Sequence, residues 1–262
     1  MDTSFIIPLV ELMQTLSVEA MALLTFLGCA VSLLLLFRIF GATGLYLYNT
    51  VIVLVANIQV LKMATFCFAP EPVALGTVAF ATTYLASDIL TEHYGKVVAR
   101  RGVWISFAGH ILMTLQMIFT LGYAAPTGDK IQGAMMSLFT PSPRILLAGL
   151  LAYAISQLLD ISLFDWVGRM TQRRWLWLRT NVATLLSGLV DNTLFSVFAW
   201  VILSPEPIGF YSLIFTYILG TYFARALVAL VSTPIMYLSY WCLPRPSGFG
   251  ATDYEPDVSK AA

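Results

Sequence analysis

Asp191 sits in the middle of one of the longest apolar runs of the chain, Leu178 to Leu203. The neighbouring run, Arg144 to Trp166, carries Asp160, and Asp88 and Arg225 interrupt two more. A carboxylate in hydrocarbon costs at least ~2.5–3.5 kcal/mol, so it normally faces a partner or a watery cavity. Asp160 and Asp191 also share a spelling, Ser-x-Leu-x-Asp-x-x-Leu-Phe, at Ser156–Phe164 and Ser187–Phe195. Across its 262 residues the chain is 59% hydrophobic and only 11% charged, with a mean hydropathy of +0.83. Soluble domains are about 45–50% apolar and about 25% charged, so lipid is the expected solvent. A polar interior in such a protein points to the handling of a polar solute.

A helix needs about 20 apolar residues to cross about 30 Å of hydrocarbon. Seven stretches approach or meet that length: 19–40, 44–66, 73–90, 103–124, 144–166, 178–203 and 211–241. The fold expected is an all-α integral membrane bundle of six to seven transmembrane helices over residues 19–242. A segment at 1–18 precedes it, and a polar tail at 243–262, expected to be disordered and cytoplasmic, follows. Gly220 and Pro234 are the kink points foreseen in the last span. Turn formers mark the linkers Gly41-Ala-Thr-Gly44, Pro70-Glu-Pro72 and Pro141-Ser-Pro143. With the N-terminus outside, Arg38, Lys96, Arg100, Arg101, Arg169, Arg173, Arg174, Arg179, Arg245 and Lys260 all fall inside. The bias of basic residues in short loops therefore predicts N-out, C-in. Met1–Glu19 lacks the basic start of a cleaved signal peptide. Zero net charge gives no reason to expect a nucleic-acid partner, and Cys29, Cys67 and Cys242 have no metal spacing. No metal, cofactor or catalytic set is expected; self-association stays open.

Within the fifth span Gln157, Asp160 and Phe164 share a face. In the sixth, Asn192 flanks Asp191 and Ser187 lies one turn earlier. Counting at ~1.5 Å per residue places Asp191 and Arg225 at similar mid-membrane depths, where they can pair. Such a pair is either structural or partly reserved for ligand: a buried carboxylate can accept two hydrogen bonds from the flat donor edge of a guanine-like base, or offset an ammonium. Asp160 lies nearer the inner surface and has a second possible task, holding the Arg169–Arg179 loop. The two Ser-x-Leu-x-Asp segments run in opposite directions, so their likeness is either a relic of an inverted repeat or a coincidence of Leu-rich helices. Asp88 and Glu92, four apart, form a carboxylate pair beside Gly95, placed as a C-cap. They either clamp the basic Arg100 and Arg101 or take part in gating or ligand contact. Asn49, Asn57 and Gln59 suit interhelix hydrogen bonds, and His110 reads as a packing residue.

Three stretches resemble a known family: Ser87-Asp-Ile-Leu-Thr-Glu-His-Tyr-Gly-Lys-Val-Val-Ala-Arg-Arg101, Ser156-Gln-Leu-Leu-Asp-Ile-Ser-Leu-Phe164, and Leu178 through Asp191 to Phe195. In order and spacing they resemble the queuosine precursor transporters of the vitamin uptake transporter group, over about residues 44–242. The resemblance implies import of 7-deazaguanine bases across the bacterial inner membrane by a multi-pass protein. It also implies an arrangement similar to the substrate-binding subunits of energy-coupling factor transporters. Members usually have six helices, so the span at 19–40 is extra. Positions matching Asp88, Glu92, Gln157, Asp160, Arg179, Asn181, Asp191 and Arg225 are polar in the family. The candidate solute contacts are thus Asp191, Asp160, Gln157, Asn192, Asn57 and Arg225; the candidate gate or cytoplasmic clamp comprises Asp88, Glu92, Arg100, Arg101, Arg179 and Asn181. Two other classes compete: a membrane-embedded enzyme built on Asp88, Glu92 and His93, and a structural membrane protein whose charges only fix helix register.

Overall fold

The computed structural model describes residues 6–67, 73–126, 129, 131–139, 143–203, 209, 211 and 213–244; at 143–147, 200, 215–217, 220, 221 and 224 only the backbone is described. The tail from residue 245, Lys130 and the Pro70-Glu-Pro72 linker lie outside these residues. The helices are α1 (Ile6–Gln14), α2 (Val18–Gln59), α3 (Gly76–Tyr94), α4 (Lys96–Leu121), α5 (Ile131–Phe139), α6 (Pro143–Met170), α7 (Leu176–Val197) and α8 (Thr221–Ser239). Short π-helical turns, Phe198–Ile202 and Leu213–Gly220, continue α7 and lead into α8. A two-residue antiparallel ladder pairs Met63–Ala64 with Val73–Ala74, where the sequence predicted continuous helix to residue 66.

The first two predicted spans are two helical arms that meet at a sharp break and fold back on each other: Glu19 at the start of the first accepts from the Cys67 amide beyond the end of the second at 2.9 Å, and a β-carbon on Gly44 would collide with the Leu36 carbonyl. Ser17 starts α2 by accepting a hydrogen bond from the Ala20 amide. At Gly41 the backbone turns to φ 58°, ψ −134°, a region that only glycine occupies readily, and helix resumes at once. The predicted linker through Gly44 is thus a tight reversal at Gly41, with Ala42–Gly44 already wound into the second arm. α1 and α5 are elements that hydropathy did not single out, because each is only nine residues long. In the last span the winding changes from π to α after Gly220, whereas the helix continues through Pro234. α4 starts seven residues before its predicted apolar run, since Gly95 (φ 85°) both ends α3 and precedes α4, leaving Lys96 as the first residue of the next helix.

The distribution of polarity is inverted relative to a water-soluble protein. Leu23, Leu27, Val31, Leu35 and Ile39 form an exposed row at i+4 spacing along α2, while Asp88, Glu92, Gln157, Asp160, Arg179 and Asp191 are buried. Among the described residues, three helical stretches are long and apolar enough to cross a membrane by length and composition: Val18–Gln59, Lys96–Leu121 and Ala148–Met170. α3 fails that criterion because it is rich in Thr, Ser, Asp and Glu, yet it is buried along most of its length. It is the central rod, touching α2, α4, α6, α7 and α8, and the greasier helices wrap it. A largely aliphatic core of Leu33, Phe37, Leu45, Leu85, Ile89 and Val103 joins α2, α3 and α4.

The Gly41 break generates a testable expectation. A β-carbon there would lie 2.9 Å from the Tyr94 hydroxyl in a backbone region hostile to branched side chains. Gly41→Val should lower stability by roughly 1–3 kcal/mol, read as a fall in the melting temperature of the detergent-purified protein. An unchanged melting curve would mean that the kink is not glycine-dependent.

Candidate functional site

One face of α3 carries Phe80, Tyr84, Asp88 and Glu92, each four residues from the last and so stacked one turn apart. Each meets a polar or charged group from another helix. The Arg225 guanidinium of α8 lies over the Phe80 ring, 5.0 Å from its centroid. Tyr84 donates its hydroxyl to Ser156 of α6 at 3.1 Å. Asp88 faces Asp160 of α6. Glu92 accepts two hydrogen bonds from Arg179 of α7, at 2.6 and 2.9 Å.

The helices α6 and α7 join through their shared spelling. Ser156 of the first copy donates to Asp191 of the second at 2.9 Å, and Ser187 of the second donates to Asp160 of the first at 2.7 Å. This crosswise exchange requires the helices to run antiparallel with the two motifs in register. The copies therefore meet each other as the halves of an inverted pair do, rather than facing apart. The other oxygen of Asp191 receives the Arg225 guanidinium, the ion pair expected from depth counting.

Around that ion pair lies a cavity of about 110 Å³. Asp191, Arg225, Asn57 and His110 supply its polar wall; Phe80, Tyr153 and Phe195 supply aromatic surface. Asn57 is hydrogen-bonded to the His110 ring at 3.4 Å, so His110, expected only to pack, borders the cavity. A larger cleft of about 320 Å³ between the first arm of α2 and α8 has almost no polar lining beyond Glu19 and Thr77. That suits lipid chains.

Of the six candidate solute contacts, Asp191, Arg225 and Asn57 line the cavity. Gln157, Asp160 and Asn192 do not. Both ends of Gln157 are occupied by α3, its oxygen accepting from Ser87 at 2.7 Å and its amide donating to Thr83 at 2.7 Å. Asp160 accepts from Ser187 and faces Asp88, and Asn192 donates to the Ile218 carbonyl at 3.3 Å, a group in the π-helical turn. Asp160 does not hold the Arg169–Arg179 loop; that work falls to Asp165, which pairs with Lys96, Arg169 and Arg173 at 3.2–3.5 Å. Asp165 and Arg169 are four apart, a signal that the sequence did contain.

The clamp also differs from expectation. Glu92 reaches Arg179, not Arg100 or Arg101, because the Gly95 turn sends those arginines to the exposed side of α4. Arg100 instead donates to Ser162 of α6 at 3.1 Å. Tyr240, just past α8, donates to Glu92 at 2.5 Å, and the Arg179 guanidinium stacks on Phe164 at 5.1 Å. Asn181 donates to Thr233 of α8 at 2.8 Å, tying α7 to α8 at this end. His93 bonds Ser239 at 2.9 Å, Glu92 turns to Arg179 and Tyr240, and Asp88 faces Asp160, so the three do not converge on one reacting point. Among the described residues no group of three or more His, Cys, Asp or Glu side chains could hold a metal ion.

An apolar exterior, a polar central rod, a polar cavity and a buried ion pair at the far end of that rod are the features of a membrane carrier for a small polar solute. Residues 74–239 match the family described as "Putative vitamin uptake transporter". The chain is 31% identical over 212 residues to the "Probable queuosine precursor transporter" of Bacillus subtilis (strain 168), spanning 80% of this chain and 90% of that protein. It is 28% identical over 127 residues to the "Queuosine precursor transporter" of Escherichia coli (strain K12), spanning 48% of this chain and 54% of that protein. No solved structure matches. The chain belongs to the vitamin uptake transporter family, and the family and both relatives are transporters rather than enzymes.

The Glu92–Arg179 pair is almost wholly buried, with side chains 3% and 2% exposed. Removing one partner of such a pair strands the other charge, which costs about 3–5 kcal/mol. Glu92→Ala should therefore lower the melting temperature sharply, and Glu92→Ala with Arg179→Met should recover much of the loss. A single variant as stable as the parent protein would show that the pair contributes nothing to folding.

Proposed function

We propose that this protein imports queuosine precursors, 7-deazaguanine bases, across the bacterial inner membrane, as the names of its relatives suggest. It does so as a multi-pass bundle of six to seven spans with the N-terminus outside and the C-terminus inside. The observation that carries the reading is the cavity, with an Asp191–Arg225 pair set among aromatic rings. A flat, donor-edged base fits this chemistry. Asp191 accepts from the base edge in place of Arg225, Phe80, Tyr153 and Phe195 offer ring surface, and Asn57 with His110 supplies polar groups.

Orientation gives the cavity a side. It lies where α2 ends and α3 begins, at Val60, Gly76 and Thr77. Lys96, Arg100, Arg101, Arg169 and Arg173 belong to the opposite end of α3, at the start of α4 and around the α6–α7 turn. Basic loops stay inside, which places the cavity in the outer half and the Glu92–Arg179–Tyr240 closure at the cytoplasmic end. Import then consists of solute capture at Asp191, loosening of its bond to Arg225, and parting of the inner closure.

The test is rescue of queuosine-modified tRNA in a strain unable to make the precursors and lacking its own importer, fed each base in turn. Asp191→Asn keeps volume but loses the charge. A charge-assisted hydrogen bond is worth about 1.5–3 kcal/mol, so rescue should need roughly 10–100 times more precursor at unchanged protein level. Arg225→Ala should strand Asp191 and reduce both stability and uptake; adding Asp191→Ala should restore stability but not uptake. Full rescue by the double variant would remove both charges from the transport site.

A further inference from the structure

Between the cavity and the inner closure lies a third polar layer that solute recognition does not use. Asp88 is fully buried, and neither of its carboxyl oxygens has a hydrogen-bond donor among the described residues. It faces Asp160, which lies one turn past the Gln157 that bonds Ser87 and Thr83; Asp160 is also fully buried, one of its oxygens accepting from Ser187 while the other has no donor among the described residues. Around the pair stand Glu92 and Tyr84 on α3, Arg179 on α7 and, further out, Arg225 on α8. Arg179 is engaged by both oxygens of Glu92, Arg225 by Asp191, and Tyr84 by Ser156. Both arginines are thus committed elsewhere through their terminal nitrogens, and although each keeps an unpaired Nε, neither bonds Asp88 or Asp160 among the described residues. A pair of carboxylates face to face is held together by a proton between the two groups and repels itself when that proton leaves.

We infer that the Asp88–Asp160 carboxyl pair is the site at which this carrier binds the proton whose inward movement drives solute accumulation. The inference rests on the import reading and adds the energy source to it. A proton suits the site better than a metal cation, because among the described residues no third carboxyl, histidine or cysteine joins the two. The coupling route is the α6–α7 seam. Asp160 is tied to Ser187 of α7, and Asp191 of α7, one turn further on, is tied back to Ser156 of α6. Loss of the shared proton drives Asp88 and Asp160 apart, and with them α3 and α6; the same serine–aspartate exchange carries that displacement to Asp191, the carboxylate that receives the solute. The proton enters with solute from the outer side and is released inward, leaving the empty pair to be recharged.

The test uses the full-length protein in proteoliposomes with radiolabelled 7-aminomethyl-7-deazaguanine and the membrane potential clamped at zero. Counterflow at equal pH needs no driving force and reports whether this base is carried at all; its absence in the parent protein would sink the import reading and this inference with it. With counterflow present, an inside-alkaline gradient of one pH unit should give up to about tenfold accumulation, abolished by a protonophore. Asp88→Asn donates an N–H in place of the shared proton, so it should fold, retain counterflow and lose pH-driven accumulation; Asp160→Asn should behave likewise. Accumulation that ignores the pH gradient, follows a sodium gradient instead, or persists in Asp88→Asn would overturn the assignment. Should both variants lose counterflow too, the parent protein decides. Adding solute to weakly buffered vesicles must make the outer medium more alkaline, and a flat pH trace refutes proton coupling.

Discussion

Lipid answers no hydrogen bond, so each charge or amide that leaves water in this bundle has to be answered by another helix. The packing of α3, α6, α7 and α8 follows from that deficit. Aliphatic surface alone would leave these helices indifferent to one another in a membrane, since lipid tails are as apolar as leucine. What sets their register is a series of directional contacts: Ser156 to Asp191, Ser187 to Asp160, Gln157 to Ser87 and Thr83, Arg179 to Glu92. Sliding α6 by one residue against α7 would break both serine–aspartate bonds at once.

The same contacts divide the interior into layers along α3. Phe80 and Tyr84 serve the Asp191–Arg225 region, Asp88 the carboxyl pair, and Glu92 the ion pair with Arg179. Each layer draws its partners from α6, α7 or α8, so a rotation or tilt of α3 is felt in all three. This is the arrangement a carrier needs, with a site, a closure and a rigid element that links them. The π-helical stretch before α8 fits the same scheme. Its wider winding leaves the Ile218 carbonyl to Asn192, one residue from Asp191 on α7, and so ties the entrance of α8 to the helix that carries the site.

Much of this is legible in the residues alone. Hydropathy locates the apolar runs, and equal depth matches Asp191 to Arg225. The repeated Ser-x-Leu-x-Asp spelling flags the α6–α7 seam. Other features are not legible, for identifiable reasons. Gln157 and Asp160 share a face with Phe164, but the sequence is silent on which neighbour that face meets; it meets α3 and α7, not the cavity. Arg100 and Arg101 are close in sequence to Glu92, yet the Gly95 turn carries them away and brings Arg179, 87 positions on, to the carboxylate. His110 reads as a packing residue because its partner Asn57 lies 53 positions earlier.

By itself the sequence determined the solvent, the helical class and the presence of an interior that must satisfy buried charge, because the length of apolar runs and the cost of a carboxylate in hydrocarbon are local properties. It also carried the family. Which acid met which base, which polar residues faced a cavity and which were spent on holding helices together were decided only in the tertiary structure. Those outcomes depend on helix rotation and crossing, set jointly by all the contacts along α3, and no residue's own sequence neighbourhood contains that information.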